Sequence, residues 1–400
     1  MLETVRNAFK LKEIRSRIIY TLLMLVVVRI GTQLPVPGVN GSYFSEWFSG
    51  NSGSAFGFFD AITGGSFEKM SVFALNITPY ITSSIIIQLL TIAIPKLEEL
   101  QKDGEEGRKK MTAITRYLTV ALALMESLAM AIGFGRSGLL IKFNALNVIT
   151  AVVTLTAGST VIMWIGERIT ENGVGNGISI VLTINIISRI PQDLTLLFEQ
   201  FVKGKEIAFQ VLNLAIIIAI IIIVTVLTVA LQGAERRIPV QYSRKVQGRK
   251  QVGGQTSHIP LKVNTAGVIP IIFAQSLFMF PLIIMQLLGK SGGNGIGGTI
   301  LKMLNQSNWC DFNEPIYSIG LIVYIALVIA FAYFYTSITF NPLEIADNMK
   351  KQGGFIPGIR PGKPTSEYLT KILNYIIFIG AVGLVIVAVI PIFFEGAFNA

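Results

Sequence analysis

Nine apolar segments, separated by loops whose positive charge alternates from side to side, constrain this chain more than any other feature. They run Ile18–Leu34, Val72–Ile94, Ala113–Gly133, Ile149–Ile165, Ile178–Ile190, Val211–Leu231, Val263–Leu288, Ile316–Thr336 and Leu369–Ile390. With the N-terminus inside, the inside loops carry 23 Lys and Arg and the outside loops 8, although the two sets are of similar total length. Short loops rich in Lys and Arg stay cytoplasmic, so the skew places the N-terminus in the cytoplasm. Spans of about 20 residues match a hydrocarbon core of about 30 Å. Every backbone amide in lipid must be satisfied internally, and long apolar runs without alternation exclude a barrel, which leaves helices.

An apolar content of 52% with 14% charged residues fits that class. Leu214–Leu231, without a single charge, is the surest span. Ile178–Ile190 is short and reads as a tilted or partly re-entrant element. The net charge of +10 is largely accounted for by the inside loops. The single cysteine, Cys310, falls in an outside loop and forms no disulfide within the chain. Met1–Ile30 has the layout of a signal peptide. However, Arg29 interrupts the apolar run and Gly31-Thr-Gln-Leu-Pro replaces a small-residue cleavage site, so an uncleaved first span is expected. Leu2, Val5 and Phe9 share one helical face, as in a short helix lying on the inner membrane surface.

Spans two and seven are built differently from the rest. Val72–Ile94 holds Asn76, Thr78, Pro79, Thr82, Ser83 and Gln88; Val263–Leu288 holds Asn264, Gly267, Pro270, Gln275 and Pro281. Such spans are tolerated where they line water or bury against other helices. They share the pattern Ala74-x-x-Ile77-x-Pro79-x-Ile81 against Ala266-x-x-Ile269-Pro270-x-Ile272. Interrupted helices at corresponding places in two inverted halves point to a central pathway. Residues 51–71 carry Gly53, Gly57, Gly64 and Gly65 among Phe56, Phe58, Phe59 and Phe67, too short between turns to cross. This segment reads either as one folded back into a pore mouth or as an interfacial loop.

No Walker A motif, dinucleotide fingerprint or HExxH is present, and the only histidine, His258, lies in a basic loop. No catalytic residue, metal site or cofactor is expected, and any work comes from a partner or a gradient. Glu126, inside span three, is the candidate coupling residue if the chain is instead a secondary solute carrier. The loop around 232–262 carries Arg236, Arg237, Arg244, Lys245, Arg249 and Lys250. The loop around 338–367 holds Arg360 between Pro357-Gly358 and Pro361-Gly362. A rigidly presented Arg suits bidentate capture of carboxylate or phosphate, so both acidic protein and RNA phosphates answer that description.

Pro35-Val-Pro-Gly38, Ile77-Thr-Pro-Tyr through Gln88-Leu-Leu90, Gly104-Glu-Glu-Gly-Arg-Lys-Lys110, Gly166-Glu-Arg through Asn176-Gly-Ile178, Ala266-Gly-Val-Ile-Pro270 and Phe340-Asn-Pro through Gly362 resemble the SecY/Sec61α family of protein-translocase channels. The resemblance runs in order from Met1 to Ala400. It implies an all-α polytopic protein of two inverted five-helix halves around a central pore, residues 1–191 and 192–400, with nine spans present and no counterpart of the tenth. It implies a waist of Ile77, Ile81, Ile178, Leu182 and Ile272 and a plug at about 56–66, including Phe56, Phe58, Phe59, Ile62, Gly64 and Gly65. It further implies a lateral gate between spans two and seven, with Thr82, Ser83, Gln88 and Gln275. By the same resemblance the basic loop and Arg360 receive the SecA motor and the ribosome, and SecE and SecG are companion subunits. The implied function is translocation of unfolded secretory polypeptides across the bacterial cytoplasmic membrane and lateral release of signal and membrane segments into lipid.

Overall fold

The computed structural model describes residues 10–49, 60, 62–135, 138–203, 207–242, 245–247, 250–252, 256–287, 296–310 and 315–398. Phe56, Phe58, Phe59, Arg244 and Arg249 lie outside the described residues, as do Leu2, Val5 and Phe9. The helices are α1 (Lys12–Gly31), α2 (Gly41–Ser49), α3 (Thr78–Ala93), α4 (Pro95–Lys102), α5 (Gly104–Gly133), α6 (Ala145–Asn172), α7 (Gly177–Phe201), α8 (Ile207–Gly233), α9 (Ile269–Leu287), α10 (Ile296–Leu304), α11 (Ile319–Thr339), α12 (Pro342–Lys351) and α13 (Lys363–Phe398).

Each apolar segment contains a helix, and among the described residues six helical stretches are long and apolar enough to cross a membrane, or seven if α3 and α4 count as one bent span. The expected nine is not confirmed by this count, while the all-α polytopic class is. Arg15, Arg17 and Arg29 charge α1, and α9 has Pro281 inside the helix. The fifth segment departs from expectation in the other direction. It is no re-entrant piece but one helix of 25 residues, α7, that continues through Arg189 and contains Pro191. Arg189 is neutralised by Asp60 and Asp193, so its charge does not end the helix.

The chain divides into two compact units, Met1–Gln200 with Met279–Gln306 and Phe201–Phe278 with Ser307–Ala400. In the first, α5 packs on α6, α3 on α5 and α1 on α6. Its core centres on Phe44, whose ring meets Phe67 and Phe134 edge-on at 5.3 and 5.1 Å. The chain bends by 110° between α3 and α4. There Ile94 is extended and Pro95 opens the next helix, as expected for a residue held before proline. In the second unit, α8 turns a single stripe (Asn213, Ile217, Ile220, Val224, Thr228 and Leu231) toward its neighbours and leaves the rest exposed, as a helix bathed in lipid does.

The loop after α8 is not irregular. β1 (Glu235–Tyr242) pairs antiparallel with β4 (Thr256–Lys262) in the register Ile238↔Ile259, and β5 (Gly354–Phe355) joins its other edge. β2 (Lys245–Gln247) and β3 (Lys250–Val252) form the hairpin between them. Ile238, Val240 and Leu261 pack with Met349 of α12, with Ile356, and with Leu369 and Ile376 of α13, giving the second unit a core beyond its spans.

The two units repeat one local device. In the first, Val72 carries a carbonyl packed on Gly158 of α6, Asn76 is left-handed at φ 50, Pro79 lies in the first turn of α3, and Ile81 follows. In the second, the carbonyl of Val263 packs on Gly380 of α13, Gly267 is left-handed at φ 63, Pro270 lies in the first turn of α9, and Ile272 follows. Each of the four positions recurs after the same 191 residues. At both glycines a Cβ would collide with the carbonyl, so only glycine admits the close approach of the turns that lead into the helix.

Candidate functional site

The left-handed Asn76 lies in the turns before α3, and its Oδ1 accepts the Ile77 N–H at 2.8 Å, which starts α3 with Ile77 at the cap. Ile77 is buried and Ile81, one turn on, is half-buried. On α7, the Gly177 N–H is taken by Thr170 Oγ1 at 2.9 Å, and Ile178 and Leu182 follow on one face at i and i+4. The structure brings these four aliphatic residues of the expected waist into one cluster with Val28, Ile162, Ile165 and Ile169. Ile272, the fifth, belongs to the second unit, where it is half-buried on α9 at the position equivalent to Ile81.

Among the expected gate residues, Ser83 is buried and its Oγ lies 2.5 Å from Thr119 Oγ1 on α5, joining α3 to α5. Thr82 and Gln88 are half-buried on α3. Gln275 is buried on α9 and hydrogen-bonded to Tyr324 of α11, beside the aromatic group of Phe278, Trp309 and Tyr324. A hydroxyl pair buried between helices contributes about 1 kcal/mol. Thr119→Val, which keeps the shape and removes the hydroxyl, is therefore expected to lower stability by about that amount. Urea titration of the solubilised protein with Ser83 as the reciprocal site checks it; an unchanged midpoint in both variants would show that the contact does not couple the helices.

Arg236 and Arg237 are both exposed at the start of β1, ahead of the buried Ile238 and Val240, and Lys245 and Lys250 lie on the β2–β3 hairpin. Arg360 stands exposed in a turn anchored by Ile356, which is 3% exposed in the core under β1. Gly358 and Gly362 are left-handed at φ 83 and 104, and the buried Thr365 donates its hydroxyl to the Arg360 carbonyl at 2.8 Å. The backbone around Arg360 is thus held from both sides while its side chain points free.

Residues 71–400 match the family model described as SecY. The protein translocase subunit SecY of Halalkalibacterium halodurans is 41% identical over 399 residues, covering 98% of this chain and 90% of that one. The chain belongs to the SecY family. Among solved structures, one described as showing that the plug domain of the SecY protein stabilises the closed state of the translocation channel has TM-score 0.64 at 20% identity and covers 94% of this chain and 86% of that one. Sec61 in the canine ribosome-channel complex has TM-score 0.59 at 17% identity, with 96% and 91% covered. Like its SecY relatives, the chain is a multi-pass membrane subunit of a protein-conducting channel. The solute-carrier reading finds no support, and Glu126 sits half-buried on α5 with no ion pair or hydrogen bond among the described residues.

Of the expected plug residues, the described ones are Ile62, half-buried, and Gly64 and Gly65, both left-handed at φ 70 and 78. Sequence reasoning missed two features of the SecY chain. The strands β1 and β4 were legible as Ile238-x-Val240 and Ile259-x-Leu261, an alternation hidden by the density of basic residues. The contact of Asp60 with Arg189 had no signal, because 129 residues separate the partners.

Proposed function

We propose that this SecY subunit lets unfolded secretory polypeptides cross the bacterial cytoplasmic membrane through a waist of Ile77, Ile81, Ile178, Leu182 and Ile272. The halves 1–191 and 192–400 form its two walls, α3 and α9 its lateral gate with Thr82, Ser83, Gln88 and Gln275, and residues 56–66 its plug. The N-terminus is cytoplasmic, as the basic loops require. The observation that carries this reading is the repeated device ending in Ile81 and Ile272: two helices that begin identically and offer aliphatic side chains at the same step.

A polypeptide carries every kind of side chain, so its conduit must bind none strongly. Branched aliphatic groups exclude water and ions by dewetting and still yield around a moving chain. A signal segment leaving sideways into lipid gains about 0.8 kcal/mol per buried methylene, so the channel itself need supply no energy. That comes from the SecA motor or the ribosome, received by Arg236, Arg237, Arg244, Lys245, Arg249, Lys250 and Arg360. SecE and SecG complete the complex. A photocrosslinker placed at Ile81 or Ile272 is expected to capture an arrested secretory chain from both positions. Capture of lipid alone at both would sink the pore assignment.

A further inference from the structure

Arg189 is served by two carboxylates. Its Nε pairs with Asp193 one turn along α7 at 3.1 Å, and its guanidinium also meets the carboxylate of Asp60. The two acids differ in surroundings: the Asp60 side chain is 0% exposed and that of Asp193 48%. Asp60 is fixed from its own side as well. Its Oδ1 accepts the Glu68 N–H at 2.8 Å, and its carbonyl accepts Thr63 Oγ1 and the Gly65 N–H, both at 3.1 Å. Gly64, left-handed, presses against the carbonyl of Asn185, one turn before Arg189, where no Cβ would fit. Asp60 and the 62–66 turn are therefore pinned to α7 at two adjacent points, one ionic and one a backbone contact.

We propose that Arg189 is the positioning residue of an ionic latch: Asp60 holds the 62–66 turn on α7 in the closed channel, and Asp193 takes over the guanidinium when the turn leaves. Breaking a buried ion pair is costly chiefly because it strands a charge. A second carboxylate already in contact removes that cost on the arginine's side, while Asp60 recovers its hydration on release. The two acids therefore have opposite effects. Asp60 stabilises the closed arrangement, and Asp193 eases departure from it.

The inference rests on reading residues 56–66 as the plug, since the latch lies at the root of that segment. The test uses the assembled SecY complex in planar bilayers. Asp60→Asn is expected to raise resting ion conductance about tenfold, the equivalent of one charge-assisted hydrogen bond. Asp193→Asn is expected to lower resting conductance and slow opening by a signal peptide. The exchange Asp60→Arg with Arg189→Asp restores pairing and should return conductance toward the native level, an outcome that mere loss of packing would not produce. If both Asn variants move conductance in the same direction, if neither moves it, or if the exchange leaks as much as Asp60→Asn, the latch is wrong. Crosslinking from Ile81 in the native chain reports on the pore separately, so a failed latch with intact crosslinking overturns this inference alone.

Discussion

Arg360→Glu is expected to cut motor-driven export about 30-fold or more, the scale of a lost interface hot spot, while leaving assembly intact. The separation of the two effects follows from how the residue is held. Ile356 anchors the turn in the core beneath β1, Gly358 and Gly362 supply its left-handed corners, and Thr365 ties down the Arg360 carbonyl. None of these involves the guanidinium, so reversing its charge does not disturb the turn. What it does remove is a fork-shaped donor presented at fixed direction, and it places a carboxylate where an acidic partner would dock. Arg360→Lys keeps the charge without the fork and should fall between the two. Uptake of a secretory precursor into inverted vesicles, alongside co-purification of the channel subunits, gives the reading. Full export by the Glu variant would exclude Arg360 from docking.

Valine at either packing glycine should be nearly as damaging, but to the fold. A Cβ at Gly158 meets the carbonyl of Val72, and one at Gly380 meets that of Val263. The obstacle in each case is backbone, which cannot rotate away as a side chain tip would. Gly158→Val and Gly380→Val are expected to cost about 3 kcal/mol or more, the upper range for overpacking. Ser159 also donates its hydroxyl to the Asn76 carbonyl at 3.0 Å, so displacing the turns in the first unit breaks that bond too. Gly233→Ala, where an added Cβ meets nothing within 4 Å, is the control and should be close to neutral. Thermal unfolding of the solubilised protein compares the three. Equal midpoints for all would show that the two segments of turn are not clamped as described.

These glycines show where sequence reading reached its limit. Pro79 and Pro270 were visible as matching interruptions, yet the apparent match ran through Ala74 and Ala266, one residue out of step. The structure aligns Ile81 with Ile272 through the prolines and pairs the left-handed Asn76 with Gly267. Residues so unlike occupy the same turn because Asn tolerates positive φ by bonding its own backbone, here to Ile77, and Gly does so for lack of a Cβ. Side-chain identity alone does not reveal that equivalence.

The uninterrupted apolar runs and the one-sided placement of Lys and Arg were enough to determine the class, since lipid permits only helices there and charge sets their direction. Local chemistry also dictated the bend at Pro95 and the rigid presentation of Arg360. Tertiary structure alone decided that α7 runs on through Arg189, that the basic loop is a hairpin built on Ile238 and Val240, and that Gly158 and Gly380 clamp the turns before α3 and α9. The reason is the same in all three. A charge is tolerated, a strand paired or a glycine required only because of a group far away in the chain, and such partners leave no mark on the residues beside them.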